Sequence, residues 1–183
     1  MAGNVHLKGV GANAKIAKID TTDEYLVTMN EIHALIHEGL VYSAFYHAEA
    51  VIDNGDIELL LTTAASRPVH LILDAMFTGD ALLQIFEGTT VSANGTVLTP
   101  TNRNRTSSNT ATMTVHHTPT VTGDGTALLN GGQFLPSGSG PIKLGVLDNE
   151  IILAANTLHL VRLQNIAGAA ADLGVALNFY EPQ

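Results

Sequence analysis

Eight histidines are the residues of this chain best suited to hold a metal ion. His33 and His37 are four apart, so a helix would place both imidazoles on one face, as in some zinc sites. A third ligand would have to come from elsewhere, because the chain has no His-Glu-x-x-His sequence. His116 and His117 are adjacent, and a strand would direct them to opposite faces. We therefore expect solvated or interface histidines, no metal site and no bound cofactor.

The chain also lacks the sequence patterns that mark catalytic nucleophiles and acid–base pairs. The chain has no Gly-x-Ser-x-Gly sequence, and Ser137 and Ser139 lie in a Gly-rich segment that is a poor support for a nucleophile. The Gly-rich segments also lack the Lys-Ser/Thr pair of a P-loop. The acids that could form a glycosidase pair lie mostly near turn residues: Glu38, Glu49, Asp53, Asp56 and Glu58. We predict no catalytic residues and no enzymatic activity.

Polar residues are concentrated in residues 86–112, which are crowded with Thr, Ser and Asn. The charges in this segment are Glu87, Arg103 and Arg105. Hydroxyls and amides can hydrogen-bond almost any partner, and Thr suits a pleated strand. Asn94-Gly95 favours a tight reversal. We predict a long polar loop or hairpin displayed from a β-rich body, which is a surface for contact and not for chemistry.

The charge balance argues against a nucleic-acid partner. The chain has 8 Lys and Arg against 17 Asp and Glu, a formal net charge of −9. Because phosphate contacts need clustered cations, we expect no nucleic-acid partner. We expect no membrane span, since no apolar run of about 18 residues is present, and no signal peptide, since the first fifteen residues lack a continuous apolar run. The absence of Cys excludes disulfides and fits a reducing compartment.

The elements that must position these residues are mostly strands. Residues 31–39 could be a short helix or the approach to a strand, because nine residues do not settle the period. Residues 41–48 favour a strand, and residues 69–77 alternate apolar and polar faces. The clearest strand lies at the end of the chain, where four residues are predicted to face inward: Leu173, Val175, Leu177 and Phe179.

Turn residues separate these strands. Asp53-Asn54-Gly55-Asp56 is a strong turn signal, which predicts a hairpin between residues 49–52 and 56–63. Residues 150–154 and 158–163 form a second predicted hairpin.

Further turns are predicted at Thr78-Gly79-Asp80 and at Gly123-Asp124-Gly125. The composition of residues 130–141 is typical of a flexible loop.

Eight to ten strands with turn signals every 8–12 residues predict an all-β fold, an antiparallel β-sandwich. A jelly roll fits best, and another Greek-key sandwich is the alternative. We divide the chain into an extended N-terminal arm, residues 1–24, and a β-sandwich domain, residues 25–183.

Several segments resemble one family of virus proteins. The run FEGTTVSANGTVLTPTNRNRTSSNTATM (86–113) and the following HHTPTVTGDGT (116–126) are its most specific part. IHALIHEG (32–39) and the ending from LVRLQNIAG to NFYE (160–181) extend it over most of the chain beyond the arm. Together they resemble head decoration, or cement, proteins of tailed bacteriophages, which have a β-sandwich or jelly-roll body.

The resemblance implies a non-enzymatic virion protein, made in the host cytoplasm, that stabilises the outer surface of the phage head. Its expected partners are the major capsid protein and further copies of itself, as a dimer or trimer. Arg103 and Arg105 are the best charged anchors, because guanidinium groups offer forked donors to carboxylates and carbonyls. The lysines of the arm could lie along an acidic capsid surface. The full set of contact candidates is Lys8, Lys15, Lys18, Asn102, Arg103, Asn104 and Arg105.

Other functions remain open at this point. The same fold could serve another virion component, such as a head fibre or tail part, or a carbohydrate- or host-surface-binding module. The absence of Trp and the 5% aromatic content weaken the carbohydrate alternative. A metal-dependent, cupin-like enzyme would use some of the eight histidines. His70 and Asp74 are predicted to share one strand face and His159 lies near the end of the chain, but no cupin-like Gly-rich sequence joins them. The aromatic contact candidates are Tyr42, Phe45, Tyr46, Phe134 and Tyr180, of which at least half should be core residues.

Overall fold

The computed structural model describes residues 17–19, 26–28, 31–128, 132–137, 142–144 and 150–182. Within these residues lie one helix, α1 (Glu31–Glu38), and seventeen strands. The strands are β1 (Ala17–Ile19), β2 (Leu26–Thr28), β3 (Val41–Val51), β4 (Asp56–Thr62), β5 (Val69–Phe77), β6 (Ala81–Glu87), β7 (Thr90–Ala93), β8 (Thr96–Val97), β9 (Thr101–Asn102), β10 (Thr114–His117), β11 (Thr120–Gly123), β12 (Thr126–Ala127), β13 (Gln133–Leu135), β14 (Ile142–Leu144), β15 (Ile151–Leu153), β16 (Leu158–Asn165) and β17 (Ala171–Tyr180).

Two antiparallel sheets form a sandwich. One has the order β14–β5–β17–β3–β9, with β15 also paired to β5. The other has the order β12–β6–β16–β4–β10–β8, with β13 also paired to β6. We call them the β17 sheet and the β16 sheet. The insertion of β17 between β3 and β5, and of β16 between β4 and β6, is the strand order of a jelly roll. The predicted all-β sandwich and its jelly-roll form are confirmed.

The core lies between the sheets and follows the alternation read from the sequence. The inward residues of β17 are each at most 1% exposed: Leu173, Val175, Leu177 and Phe179. Ile57, Leu59 and Leu61 of β4 face them from the β16 sheet within the same apolar cluster. Because side chains alternate along a strand, these inward sets leave Glu58 and Leu60 on the outer face of the β16 sheet.

A long two-stranded ribbon runs from one edge of the β16 sheet to the other. It begins where β12 pairs with β6, continues through β7 and β11, and ends where β8 pairs with β10. β6 lies beside β16, whereas β10 lies beside β4, so the two ends of the ribbon meet opposite sides of the β16–β4 pair. Gly125, between β11 and β12, has a φ of +90°, and a Cβ there would lie 2.3 Å from the Glu87 carbonyl oxygen. Only glycine fits this position.

The outer face of the β16 sheet carries an apolar row that this ribbon covers. Leu160 lies opposite Leu60 on one side and Phe86 on the other. Leu60 and Leu160 are 0% exposed and Phe86 is 7% exposed, although none belongs to the core cluster between the sheets. Burying side chains of this size contributes about 1.5–3 kcal/mol each, which favours the ribbon lying across the sheet.

Arg162 holds the ribbon to the sheet beside this row. Its guanidinium donates two hydrogen bonds to Asp124 of the ribbon, at 2.8 and 3.0 Å, and one to Glu58 of β4, at 2.7 Å. It also lies 5.3 Å from the ring centre of Phe86. The hydrogen bonds from Arg162 lower the pKa of Asp124, whereas burial raises the pKa of Glu58 despite the same partner. The arrangement is a charged clamp between two elements far apart in sequence.

Both predicted hairpins are wrong, although their turns are present. The turn at Asp53 and Asn54 leads from β3 into β4, and the turn at Ala155 and Asn156 leads from β15 into β16. In each case the two strands belong to different sheets. The chain therefore reverses direction at these turns and at the same time crosses the sandwich.

Three other local predictions need correction. Asn94-Gly95 makes no tight reversal, because β7 pairs with β11 and β8 pairs with β10, so the chain continues along the ribbon. Gly123-Asp124-Gly125 likewise lies within one arm of the ribbon, between β11 and β12. Residues 130–141 are not all loop, since Gln133–Leu135 form β13 on β6. Residues 130, 131 and 138–141 lie outside the described residues.

Residues 31–39, which could have been helix or strand, form α1 followed by a turn at Gly39. Before it, β1 pairs with β2 in a small separate sheet that spans the proposed boundary at residue 24. The division into arm and domain stays a prediction.

We expect Arg162→Met to lower the free energy of unfolding by about 3 kcal/mol, because the substitution leaves the Glu58 carboxylate largely buried and unpaired. Equilibrium urea unfolding measures this change. Asp56→Asn is the matched control: its carboxylate is 3.7 Å from Arg162 and 37% exposed, so its loss should change stability by less than about 1 kcal/mol. Equal stability of Arg162→Met and the unaltered protein would show that the clamp contributes nothing.

Candidate functional site

The polar segment singled out in the sequence ends in a loop, residues 103–112, that leaves the sandwich after β9. β9 pairs with β3, so the loop starts at the edge of the β17 sheet beside α1. We call it the braced loop, because its side chains hydrogen-bond to the end of that helix. Asn102, only 8% exposed, donates from its amide nitrogen to the carbonyl oxygens of Gly39 (2.9 Å) and Asn109 (3.0 Å).

Two more asparagines complete the brace. Asn104 donates to the carbonyl oxygen of His37 at 2.9 Å, and Asn109 donates to that of Glu38 at 3.2 Å. The last carbonyls of a helix have no partner within the helix, so these amides satisfy groups that would otherwise need water. Gly39 ends α1 with a φ of +72°, and a Cβ there would lie 2.2 Å from the Ser107 hydroxyl. Helix and loop are therefore fitted to each other.

The far end of the braced loop is fixed by Glu181. This carboxylate is 1% exposed and accepts hydrogen bonds from the backbone N–H groups of Thr112 and Met113, at 2.8–3.0 Å. Two backbone donors, of which that of Met113 is buried, are thereby satisfied just before β10 begins. The loop is tied at both ends and along its length.

The two arginines of the loop remain on its surface. Arg103 and Arg105 are exposed, and neither forms an ion pair with a carboxylate in the described ranges. Arg103 borders a shallow depression of about 170 Å³ on the outer face of the β17 sheet, together with Asp74, Asn178 and Tyr180. The brace thus presents two guanidinium groups on a loop whose residues 103–112 include no other charged side chain.

The seven contact candidates from the sequence fall into four groups. Arg103 and Arg105 are exposed, whereas Asn102 and Asn104 direct their amides into the protein as braces. Lys18 lies in β1, opposite Val27. Lys8 and Lys15 lie outside the described residues. Their assignment as contact residues stays a prediction.

The aromatic candidates divide between core and surface. Tyr42 and Tyr180 are buried, at 2% and 8% exposure, and Tyr46 is half-buried and stacked on His117. Phe45 and Phe134 are 51% and 56% exposed. Phe45 and Phe134 are therefore the aromatic side chains of this set that a partner could reach.

The histidines are spread over different surroundings. His116 and His117 lie opposite Leu60 and Leu59, on the two faces of β10, as predicted. His70 hydrogen-bonds to Glu150, which also accepts from the Tyr180 hydroxyl at 2.8 Å. In the described part of the chain, no three histidine, aspartate or glutamate side chains come together as a set able to hold a metal ion.

The acids considered for catalysis have other roles. Asp56 and Glu58 lie beside Arg162 in the clamp, and burial raises the pKa of each. Asp53 accepts from the backbone N–H of Gly168 at 2.9 Å, and so ties two turns together. Within the described residues, no serine hydroxyl hydrogen-bonds to a histidine ring, so no Ser–His pair is assembled there.

Sequence reasoning missed the residues that fix the loop. No local sequence pattern marks Glu181, because its hydrogen-bond partners lie far away in the chain. Asn109 could have been found, since Asn and Ser in a loop beside a helix end favour side-chain bonds to backbone. Asn104 also accepts a hydrogen bond from the Thr106 hydroxyl at 2.7 Å, which links these two side chains within the loop.

Comparison with known proteins gives no relative. No protein-family model, no curated protein and no solved structure matches the chain. No helix of the described residues is long and apolar enough to cross a membrane.

Asn102→Ala should loosen the braced loop, because it removes the hydrogen bonds to the Gly39 and Asn109 carbonyls and the acceptor of the Asn104 backbone N–H. We expect amide hydrogen exchange in residues 103–110 to accelerate by about tenfold or more, equivalent to a loss of about 1–3 kcal/mol. Ser108→Ala, an exposed change in the same loop, should leave these rates unchanged. Unaltered exchange in Asn102→Ala would show that the brace does not order the loop.

His159 should make stability depend on pH. Its side chain is 0% exposed, and burial lowers its pKa although Glu87, 3.3 Å away, partly opposes the shift. Between the folded and unfolded pKa values the unfolded chain binds more protons. Stability is therefore fully present above about pH 6.5 and is lost as the pH falls towards the lower, folded value.

Urea unfolding at pH 7.5 and 5.5 tests this expectation. His159→Gln should reduce the difference in unfolding free energy between the two pH values, whereas His47→Gln, whose side chain is 49% exposed, should leave it unchanged. If His159→Gln keeps the full difference, the pH dependence has another source.

Proposed function

We propose that this protein is a non-enzymatic decoration protein of a tailed-phage head, which binds the outer shell and stabilises it. The observation that carries the proposal is the braced loop, an ordered and nearly uncharged surface that presents Arg103 and Arg105. The resemblance of the same residues to phage cement proteins supports the assignment. The loop has the features of a contact surface: polar groups, fixed geometry and two unpaired forked donors.

A fixed loop favours binding for an entropic reason. Ordering a mobile side chain at an interface costs about 0.5–1.5 kcal/mol, and a loop already ordered avoids part of that cost. The hydrogen bonds of Asn102, Asn104 and Asn109 to the end of α1 provide this order in the free protein. The interface then needs to immobilise little more than the two arginine side chains.

Charge indicates the chemistry of the partner surface. The chain carries a net charge of −9, yet two of its eight basic residues stand two positions apart on this loop. A shell surface that offers carboxylates or backbone carbonyls would bind both guanidinium groups. The net negative charge of the whole chain would disfavour orientations that bring its other surfaces to an acidic partner, since like charges repel across an interface.

Stabilisation of the shell would follow from repetition. A protein that binds the assembled shell and not the separated subunits shifts the equilibrium towards the shell by mass action. If each decorating unit is a dimer or trimer of this chain, several loops bind at once and modest individual affinities suffice. The major capsid protein and further copies of the chain are therefore the proposed partners.

Co-sedimentation with expanded, undecorated phage heads tests the proposal. We expect saturable binding at a fixed ratio to the major capsid protein, with the oligomeric state in solution measured by light scattering. Arg103→Ala combined with Arg105→Ala should weaken binding by about tenfold or more, since hydrogen bonds to charged groups contribute about 1.5–3 kcal/mol.

Two control variants separate charge from geometry. Arg103→Lys with Arg105→Lys keeps the charge and loses the forked donors, so intermediate binding is expected. Arg67→Ala removes a partly exposed arginine elsewhere and should bind normally. Absence of saturable binding by the unaltered protein would overturn the proposal, and a screen against glycans and phage tails would follow.

A further inference from the structure

We propose that His33 and His37 form a surface site for a divalent transition-metal ion of the copper(II) type. Both side chains are exposed on α1, one turn apart, and their Nε2 atoms are 3.0 Å from each other. Imidazole nitrogen is a common ligand of copper, nickel and zinc. The inference is independent of the head-binding role, because it concerns a pair of histidines outside the braced loop.

The distance between the two nitrogens allows one ion to bind both. A metal–nitrogen bond of about 2.0–2.1 Å places two neighbouring ligands about 2.8–3.4 Å apart, for angles between a right angle and the tetrahedral angle. The observed 3.0 Å lies within this range. Copper(II) is the expected occupant because, at a given nitrogen site, it binds more tightly than Ni²⁺ or Zn²⁺.

A metal ion can replace the hydrogen bond between the two imidazole rings. In the free protein, one Nε2–H can donate to the other Nε2, which requires the two rings to be in different tautomers. When a metal binds, the donor ring carries its proton on Nδ1, and both Nε2 lone pairs are free. The rings stand edge to face, with centres 4.7 Å apart, so small rotations of exposed side chains are sufficient.

Two protein ligands leave the remaining positions of the ion to water or to a partner. The carbonyl oxygen of His37 already accepts from Asn104, and that bond fixes the helix end on which the second ligand stands. A bound ion would link two successive turns of α1 and so oppose fraying of this short helix. The expected consequence is slower amide exchange in α1 and in the braced loop.

Titration of the metal-free full chain with CuCl₂, NiCl₂ and ZnCl₂, followed by calorimetry, tests the site. We expect one high-affinity Cu²⁺ per chain and weaker binding of Ni²⁺ and Zn²⁺. His33→Gln and His37→Gln should each weaken Cu²⁺ binding by about a hundredfold, since the second ligand acts at a high effective concentration. Electron paramagnetic resonance of the Cu²⁺ complex should show two coupled nitrogens in the unaltered protein.

The control is His47→Gln, another exposed histidine, which should bind Cu²⁺ as tightly as the unaltered protein. Circular dichroism of each variant verifies that it is folded. Three results would each overturn the proposal: no saturable Cu²⁺ binding, a site that persists in both His33→Gln and His37→Gln, or tighter binding of Zn²⁺ than of Cu²⁺.

Discussion

The apolar row on the outer face of the β16 sheet determines how the rest of the chain must run. Leu60, Leu160 and Phe86 point away from the core, so something other than the opposite sheet has to exclude water from them. The ribbon does so by running from β6 to β4 across that face. Because its tip arrives beside β4, the next residues reach the edge of β3, and the braced loop starts beside α1. The position of the loop thus follows from the burial of three side chains.

Alternation and turn signals predicted the fold class but not the pairing of neighbouring strands. The inward faces of β4, β5 and β17 were readable, because a strand with one side in the core repeats every two residues. Asp53-Asn54 and Ala155-Asn156 do mark reversals. A turn residue reports a local backbone conformation, however, and carries no information on which distant strand is the partner. In a jelly roll that partner belongs to another part of the chain, so both hairpins were assigned wrongly.

The composition of the candidate site could be predicted from the sequence, but the hydrogen bonds that order it could not. The concentration of Thr, Ser and Asn indicated a contact loop, and Arg103 and Arg105 are exposed as that reading requires. The asparagines were expected to face a partner, yet Asn102 binds Gly39 and Asn104 binds His37. Such bonds depend on how the helix end and the loop meet in space. The role of Glu181 is non-local in the same way, since its backbone partners lie 68 and 69 residues earlier.

The ribbon also sets an order of events during folding. Glu58 and Arg162 are 104 residues apart in sequence, so the sheet that the ribbon covers does not exist until the last third of the chain has joined β4. Folding is slow because the entropy cost of closing such a long loop arises before any stabilising contact forms. Unfolding is slowed as well, because β4 and β16 can separate only after the ribbon has detached from the outer face of the β16 sheet. Such a protein resists unfolding through the height of its unfolding barrier, so its lifetime at a given temperature is set by a rate and not by its equilibrium stability alone.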